Sequence, residues 1–201
     1  MQHTMKIAIQ LFGFACLLFS CGQSDTSTTA ISDQQEGMHD MSIYHLPSDW
    51  NTHHGEKISF QDLKGQPLVV VMIYTACKTA CPRLVADMRQ IEAKAAPHVK
   101  LQPRYILVSI DPRNDHPEKL NQFAADNGMD GEQWLFLQGT ESGVREFANV
   151  LSMKYKKIDP IDFSHSNIIS VFDTEGVLQY QKEGLGLQNE EIIENILRVS
   201  E

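Results

Sequence analysis

One stretch of the sequence, residues 68–88, constrains the fold more than any other. It reads LVVVMIYTACKTACPRLVADM and joins an apolar run to a helical pattern through two cysteines. The run at 69–73 is continuous and rich in β-branched residues, which is typical of a strand buried on both faces. Pro82 suits a first helical turn, and apolar residues then recur at helical spacing: Leu84, Val85, Met88, Ile91 and Ala95. The sequence therefore predicts a central strand followed by a helix.

Cys77 and Cys81 lie where this strand ends and the helix begins. Backbone N–H groups at a helix start favour negative charge, so a thiolate forms there more easily than in free cysteine. If residues 77–81 make one helical turn, the two sulfurs share a face and can bridge each other or bind one ion. The alternative is two buried cysteines that act as small hydrophobic residues. The polar neighbours Thr75, Lys78 and Thr79 favour the functional interpretation.

The N-terminal residues have the pattern of an export signal. Residues 1–20 carry Lys6 as their only formal charge, and 7–19 is mostly apolar but too short to span a bilayer comfortably. The sequence at 18–21 resembles the lipobox of bacterial lipoproteins, in which the cysteine, here Cys21, becomes the lipidated first residue. We predict a signal peptide over 1–20, a flexible tether over 21–41 and a folded domain over 42–201. An uncleaved anchor helix would also place the domain outside the cytoplasm.

The cysteine count and the net charge narrow the function. With Cys16 in the signal and Cys21 lipidated, Cys77 and Cys81 are the only thiols of the exported domain. An oxidising compartment would join them unless a reductant or a metal prevented it. The formal net charge of -9, without a basic patch that could neutralise phosphates, argues against a nucleic-acid partner. We predict a membrane-anchored lipoprotein of the bacterial cell envelope, on the periplasmic side.

The rest of the chain alternates strand and helix patterns. Strands at 42–45 and 57–60 around Trp50 predict an N-terminal β-hairpin extension, and 104–110 completes a right-handed parallel βαβ unit with the central strand. The remaining predicted elements are helices at 118–127, 141–154 and 189–199 and strands at 134–137, 168–172 and 177–181. This order predicts an α/β, thioredoxin-like fold, with a central mixed sheet flanked by helices. In that layout the strand at 168 runs antiparallel to the central strand, so the preceding loop, with His165, lies beside the cysteines.

Two thiolates and one imidazole form a soft Cys2His site, which suits Cu(I) and also holds Zn(II) or Cu(II). The other histidines fit other roles: His98 and His116 as solvated side chains, His53 and His54 as surface residues of a hairpin turn, and His39 as part of the polar tether. Taken without the fold, His165 fits a ligand and a plain loop residue equally well.

Three separated motifs resemble the Sco/SenC family of membrane-tethered, thioredoxin-like copper proteins. They are YTACKTACP at 74–82, VSIDPRNDHPEKL at 108–120 and FSHSNIISVFDTEG at 163–176, and the resemblance covers about residues 42–199. It implies copper, Cu(I) or Cu(II), bound by Cys77, Cys81 and His165. It also implies delivery of that copper to the dinuclear copper centre of cytochrome c oxidase, or reduction of that centre's cysteines. The implied partners are the oxidase subunit that holds this centre and an upstream copper donor or thiol reductant.

Two features depart from the family pattern. Many members have proline after the first cysteine, where this chain has Lys78, and their usual transmembrane anchor is replaced here by a lipid on Cys21. The Lys78 ammonium favours the neighbouring thiolate, whether for metal binding or for disulfide chemistry. Asp111 and Arg113 are predicted on the same rim, where they support the site or dock a partner. The alternative is that Asp111 and Pro112 merely shape the loop.

Three functions remain open at this point. The favoured one is a copper carrier rather than a turnover enzyme, because dithiol chemistry alone does not require His165. The second is a thiol:disulfide oxidoreductase that acts on other envelope substrates through the redox-active pair Cys77 and Cys81. A peroxidase on a peroxiredoxin-like scaffold is the least favoured.

Overall fold

A computed structural model describes residues 41–159, 163–186 and 189–201 of the chain. The predicted signal peptide and lipidated Cys21 lie outside the described residues, as does all of the predicted tether except its last residue. No helix among the described residues is both long enough and apolar enough to cross a bilayer.

The described residues form nine strands in two sheets. They are β1 (Asp49–Thr52), β2 (Lys57–Ser59), β3 (Leu68–Ile73), β4 (Arg104–Ser109), β5 (Trp134–Gln138), β6 (Tyr155–Lys157), β7 (Phe163–His165), β8 (Ile168–Phe172) and β9 (Leu178–Glu183). Seven form one sheet in the order β2-β1-β5-β4-β3-β8-β9, and β6 pairs with β7 in a separate two-stranded sheet.

The central strand prediction is confirmed by β3. All six of its residues are buried, and it is parallel to β4 on one side and antiparallel to β8 on the other. Val70, for example, pairs with Ile106 of β4 and with Ser170 of β8. Because β8 runs antiparallel to β3, its N-terminal end lies beside the C-terminal end of β3, where the cysteines follow.

Four α-helices flank the sheet within the described residues: α1 (Ala80–Ala95), α2 (Pro117–Asp126), α3 (Glu141–Val150) and α4 (Glu190–Val199). The predicted apolar stripe of α1 is buried along its whole length. Helix α1 packs beside α4, and α4 packs on β8 and β9. Helix α2 starts at a proline and stops before Gly128, whose φ of 61° suits glycine at a helix end. The predicted α/β architecture is therefore confirmed.

Several predicted boundaries were wrong. Residues 42–45 form no strand; Ile43–His45 is a 3-10 turn whose first backbone N–H groups are partly capped by Ser42, which accepts a hydrogen bond from the Tyr44 N–H. The hairpin strand is instead Asp49–Thr52, which contains Trp50, and it extends the main sheet by pairing with β5. Helix α3 ends at Val150 rather than at 154, because the chain turns at Ser152, with φ 53°.

Candidate metal centre

Cys77 and Cys81 come together at the C-terminal end of β3. Cys77 lies in the loop after the strand, and Cys81 is the second residue of α1. Both are free thiols and both are buried, with 8% and 0% of their surface exposed. The Cys81 N–H donates to the Cys77 sulfur at 3.3 Å. The loop therefore brings the two cysteines together and presents Cys77 on the outer side.

Their surroundings move the pKa values of the two thiols in opposite directions. Burial acts to raise the pKa of Cys77, but hydrogen bonds from the backbone of Cys81 and Thr79, with others from the Cys81 and Tyr74 side chains, outweigh it and lower that pKa. Burial raises the pKa of Cys81 well above its usual range, and the neighbouring Cys77 adds to the rise. Cys77 is consequently the sulfur that ionises first.

A buried carboxylate that the sequence analysis missed, Asp115, holds the cysteine loop in place. It is fully buried and accepts hydrogen bonds from the Thr75 backbone N–H at 3.0 Å and from the Thr75 hydroxyl at 2.5 Å. It also accepts from Ser109 Oγ at 2.7 Å and from Lys119 Nζ at 3.1 Å. Asp115 thereby ties the ends of β3 and β4 to the start of α2. A buried carboxylate with four donors fixes its neighbours firmly.

His165 approaches the same end of the sheet from β7. It is the last residue of that strand, rather than part of a loop as predicted. Its Nδ1 lies 3.0 Å from the Ser166 carbonyl oxygen, so Nδ1 carries the hydrogen and Nε2 carries the lone pair. Nε2 is buried and, among the described residues, has no hydrogen-bond partner. Burial lowers the pKa of His165, which favours the neutral ring and leaves the Nε2 lone pair able to bind a metal.

Tyr74, the residue directly after β3, connects the two halves of this region. Its ring is 5.8 Å from the His165 ring and 5.2 Å from the Phe163 ring, measured between centroids. Its hydroxyl lies 3.3 Å from the Phe163 carbonyl oxygen and also hydrogen-bonds to Cys77. A tyrosine hydroxyl has a single proton, so donation to the sulfur competes with donation to the carbonyl. Sequence analysis missed this role; the position of Tyr74, three residues before the first cysteine, was the available signal.

The structure assembles part of the predicted Cys77, Cys81 and His165 set. The two sulfurs are adjacent, and Tyr74 contacts both the His165 ring and Cys77. Within the described residues, no three histidine, cysteine or acidic side chains are grouped closely enough to hold a metal ion. The donor types nevertheless fit copper, because thiolates and neutral imidazole are ligands that copper prefers.

The residues predicted to support the site occupy different positions. Lys78 is exposed. Asp111 is buried and accepts a hydrogen bond from Asn114 Nδ2 at 2.7 Å. The Arg113 guanidinium is exposed and pairs with Glu141 at the start of α3. Asp111 and Arg113 both line a cavity of about 190 Å³ that also borders β6 and β7.

The histidine assignments need one correction. His98 and His116 are exposed, as predicted. His53 is not a surface residue: only 3% of it is exposed, and its Nδ1 accepts a hydrogen bond from the Phe136 N–H at 3.3 Å. The prediction was wrong because β1 joins the main sheet beside β5, which brings the hairpin turn against Phe136.

Comparison with known proteins identifies the family. The family model described as SCO1/SenC matches residues 41–201. The chain belongs to the SCO1/SenC family. The SCO1 protein homolog of Bacillus subtilis is 34% identical over 103 residues, which are 51% of this chain and 53% of that protein. The aligned region therefore spans about half of this curated relative.

Solved structures of Sco proteins share the fold. The structure of BsSco, described as a member of the Sco family of cytochrome c oxidase assembly proteins and as having a disulfide switch, is 26% identical with a TM-score of 0.68 and covers 79% of this chain and 94% of its own. Arabidopsis thaliana ScoI with copper bound is 13% identical with a TM-score of 0.67, covering 75% and 93%. These matches confirm the predicted family and the thioredoxin-like fold.

Proposed function

We propose that this SCO1/SenC protein carries copper outside the cytoplasm, held to the membrane by a lipid on Cys21. Copper is its cargo, bound by Cys77, Cys81 and His165 and passed on to the dinuclear copper centre of cytochrome c oxidase. The observation that carries the proposal is the buried Nε2 of His165 on the strand beside Tyr74, an atom that has no hydrogen-bond partner among the residues that the structure describes. A buried nitrogen lone pair that accepts no hydrogen bond lowers the stability of the fold, unless a ligand binds to it. Arabidopsis thaliana ScoI, which shares the fold and whose structure has copper bound, supports copper as that ligand.

Each residue has a distinct part in holding the ion. Cys77, whose pKa is lowered, supplies the first thiolate, and Cys81 gives up its proton on binding, because metal binding requires deprotonated cysteine. The Ser166 carbonyl orients the imidazole by accepting its Nδ1 hydrogen. Asp115 holds the Thr75 end of the cysteine loop so that the sulfurs stay adjacent.

A second function is favoured by the opposite pKa directions of the two thiols. The Cys77 thiolate attacks one sulfur of a client disulfide and forms a mixed disulfide, while the client's other sulfur leaves as a thiolate. Cys81 then loses its proton and attacks Cys77, which releases the client as a dithiol and leaves a disulfide between Cys77 and Cys81. The client gains two electrons. An envelope thiol reductant then supplies two electrons to this protein and returns the Cys77–Cys81 disulfide to two thiols. BsSco, described as having a disulfide switch, supports this route.

Copper stoichiometry under reducing conditions tests the carrier proposal. We expect one copper per chain in the wild type and reduced affinity in Cys77→Ser, Cys81→Ser and His165→Ala. His98→Ala is the matched control, because His98 is exposed at the far end of α1. If His165→Ala keeps full affinity and an unchanged absorption spectrum, His165 is not a ligand and the dithiol function remains. Mass spectrometry of the mature N-terminus, compared with Cys21→Ala, tests the lipid anchor.

A further inference from the structure

The hairpin of β6 and β7 carries a concentration of positive charge that contrasts with the rest of the chain. The whole sequence has 26 acidic residues against 17 lysines and arginines. Beside His165, a cavity of about 290 Å³ is bordered by Lys154 and Lys156, with Glu183 as its acidic residue. Three cations near the hairpin, Lys154, Lys156 and Lys157, are close in sequence, and the fold adds Arg113 and Arg145 from two other segments.

A second cavity, on the other side of β6, adds three more cations. It has a volume of about 190 Å³ and is bordered by Arg113, Arg145 and Lys157. Glu141, paired with Arg113, is the exposed acid there, and its pKa is lowered first by Arg113 and further by Arg145 and Lys157. Side chains alternate along a strand, which explains why Lys156 and Lys157 of β6 border different cavities.

These cations are available to a partner. Lys154, Lys156 and Lys157 are exposed, and within the described ranges none of the three forms an ion pair, although Lys157 Nζ lies 5.3 Å from the centroid of the Phe163 ring. Ile158, which directly follows β6, is 64% exposed. An exposed apolar side chain beside exposed lysines matches the usual anatomy of a protein interface, with an apolar anchor and a charged rim.

We propose that this basic hairpin face, formed by Arg113, Arg145, Lys154, Lys156 and Lys157, docks the acidic surface of the protein that receives copper from this chain. The inference rests on the proposed copper-carrier function and adds the surface of the transfer. An extended acidic surface fits better than a small anion, because the cations lie in two cavities separated by a strand. The positive charge of this face binds the partner protein and not copper, since cationic side chains repel a copper cation. Docking here brings the receiving protein over His165, which borders the first cavity.

Charge reversal of the hairpin tests this inference. Lys154→Glu with Lys156→Glu changes the net charge by four without removing a described side-chain hydrogen bond. Lys94→Glu with Lys100→Glu is the matched control: it makes the same charge change on exposed residues, and Lys94 lies about 20 Å along α1 from Cys81. The probe is the soluble copper-centre domain of the cognate oxidase. The readouts are its binding to the full chain and the rate of copper transfer, at 20 mM and 500 mM salt.

At low salt we expect the hairpin variant to bind the domain and to transfer copper at least about tenfold more slowly than the wild type. This difference should become smaller at high salt. Its own copper stoichiometry should be unchanged, and the control variant should transfer nearly as fast as the wild type. The docking surface is contradicted if the hairpin and control variants are slowed equally, or if neither variant is slowed. If the wild type binds the domain but passes on no copper, the proposed function fails, while loss of binding in the hairpin variant alone still upholds the docking surface.

Discussion

The imidazole of His165 packs edge-on against the ring of Tyr74, with ring centroids 5.8 Å apart and planes at 77°. The hydroxyl of the same tyrosine contacts the backbone of Phe163 and hydrogen-bonds to Cys77. One side chain thus spans the dithiol and the strand that carries the histidine.

Tyr74→Phe should weaken the link between these two parts. We expect a loss of about 1 kcal/mol in the free energy of unfolding, because the hydroxyl contacts are replaced by a C–H. We also expect weaker copper binding with a shifted absorption spectrum, since the position of His165 is less well fixed. Urea unfolding and copper titration measure the two effects. Tyr180→Phe, on β9, is the control; identical copper spectra in both variants would show that Tyr74 does not position His165.

Cys77 should react with iodoacetamide before Cys81 in chelator-treated protein. The reactive form is the thiolate, and the pKa of Cys77 is lowered whereas that of Cys81 is raised. As the pH rises, alkylation of Cys77 should therefore reach half its maximal rate at a lower pH than alkylation of Cys81. Trypsin cuts after Lys78, so the two cysteines fall in separate peptides that mass spectrometry quantifies. Faster labelling of Cys81 would reverse our assignment of the attacking thiol.

Asp115→Asn should destabilise the domain by about 2–4 kcal/mol. An amide accepts fewer hydrogen bonds than a carboxylate and leaves the buried donors of Thr75 and Ser109, together with Lys119, less well satisfied. Chemical unfolding gives the difference. Asp130→Asn, a change of the same kind at an exposed position, should cost less than about 0.5 kcal/mol. Similar stability of the two variants would contradict the role of Asp115 at the base of the cysteine loop.

The buried His53 should make stability depend on pH. Burial, with the neighbouring His54, lowers the pKa of His53 from 6.5 to about 4. The unfolded chain therefore binds a proton that the folded chain does not between these values. Through this histidine the free energy of unfolding is highest above pH 6.5, and it falls by at most about 3 kcal/mol as the pH is lowered toward 4. Urea unfolding at pH 7.5 and 4.5 should show a smaller drop for His53→Gln than for the wild type. An exposed control, His116→Gln, should keep the wild-type drop.

The sequence predicts the centre of this fold better than its edges. β3 was predictable because 69–73 is a continuous apolar run, and α1 because its apolar residues recur at helical spacing from Leu84 to Ala95. β6 was not, because Tyr155–Lys157 is polar and pairs only with a three-residue strand. Asp115 and His53 were missed for another reason. Their burial depends on contacts with Thr75 and Phe136, which are 40 and 83 positions away in the chain.

The histidine of the candidate centre ends β7 in the two-stranded sheet, whereas Cys77 follows β3 of the seven-stranded sheet and Cys81 lies in α1. The two donor types can consequently evolve at different rates. A variant without the imidazole would keep every backbone pairing around the thiols. Replacing the thiols would instead alter two buried side chains at the junction of β3 and α1, so the position of the histidine can change with less disturbance of the core.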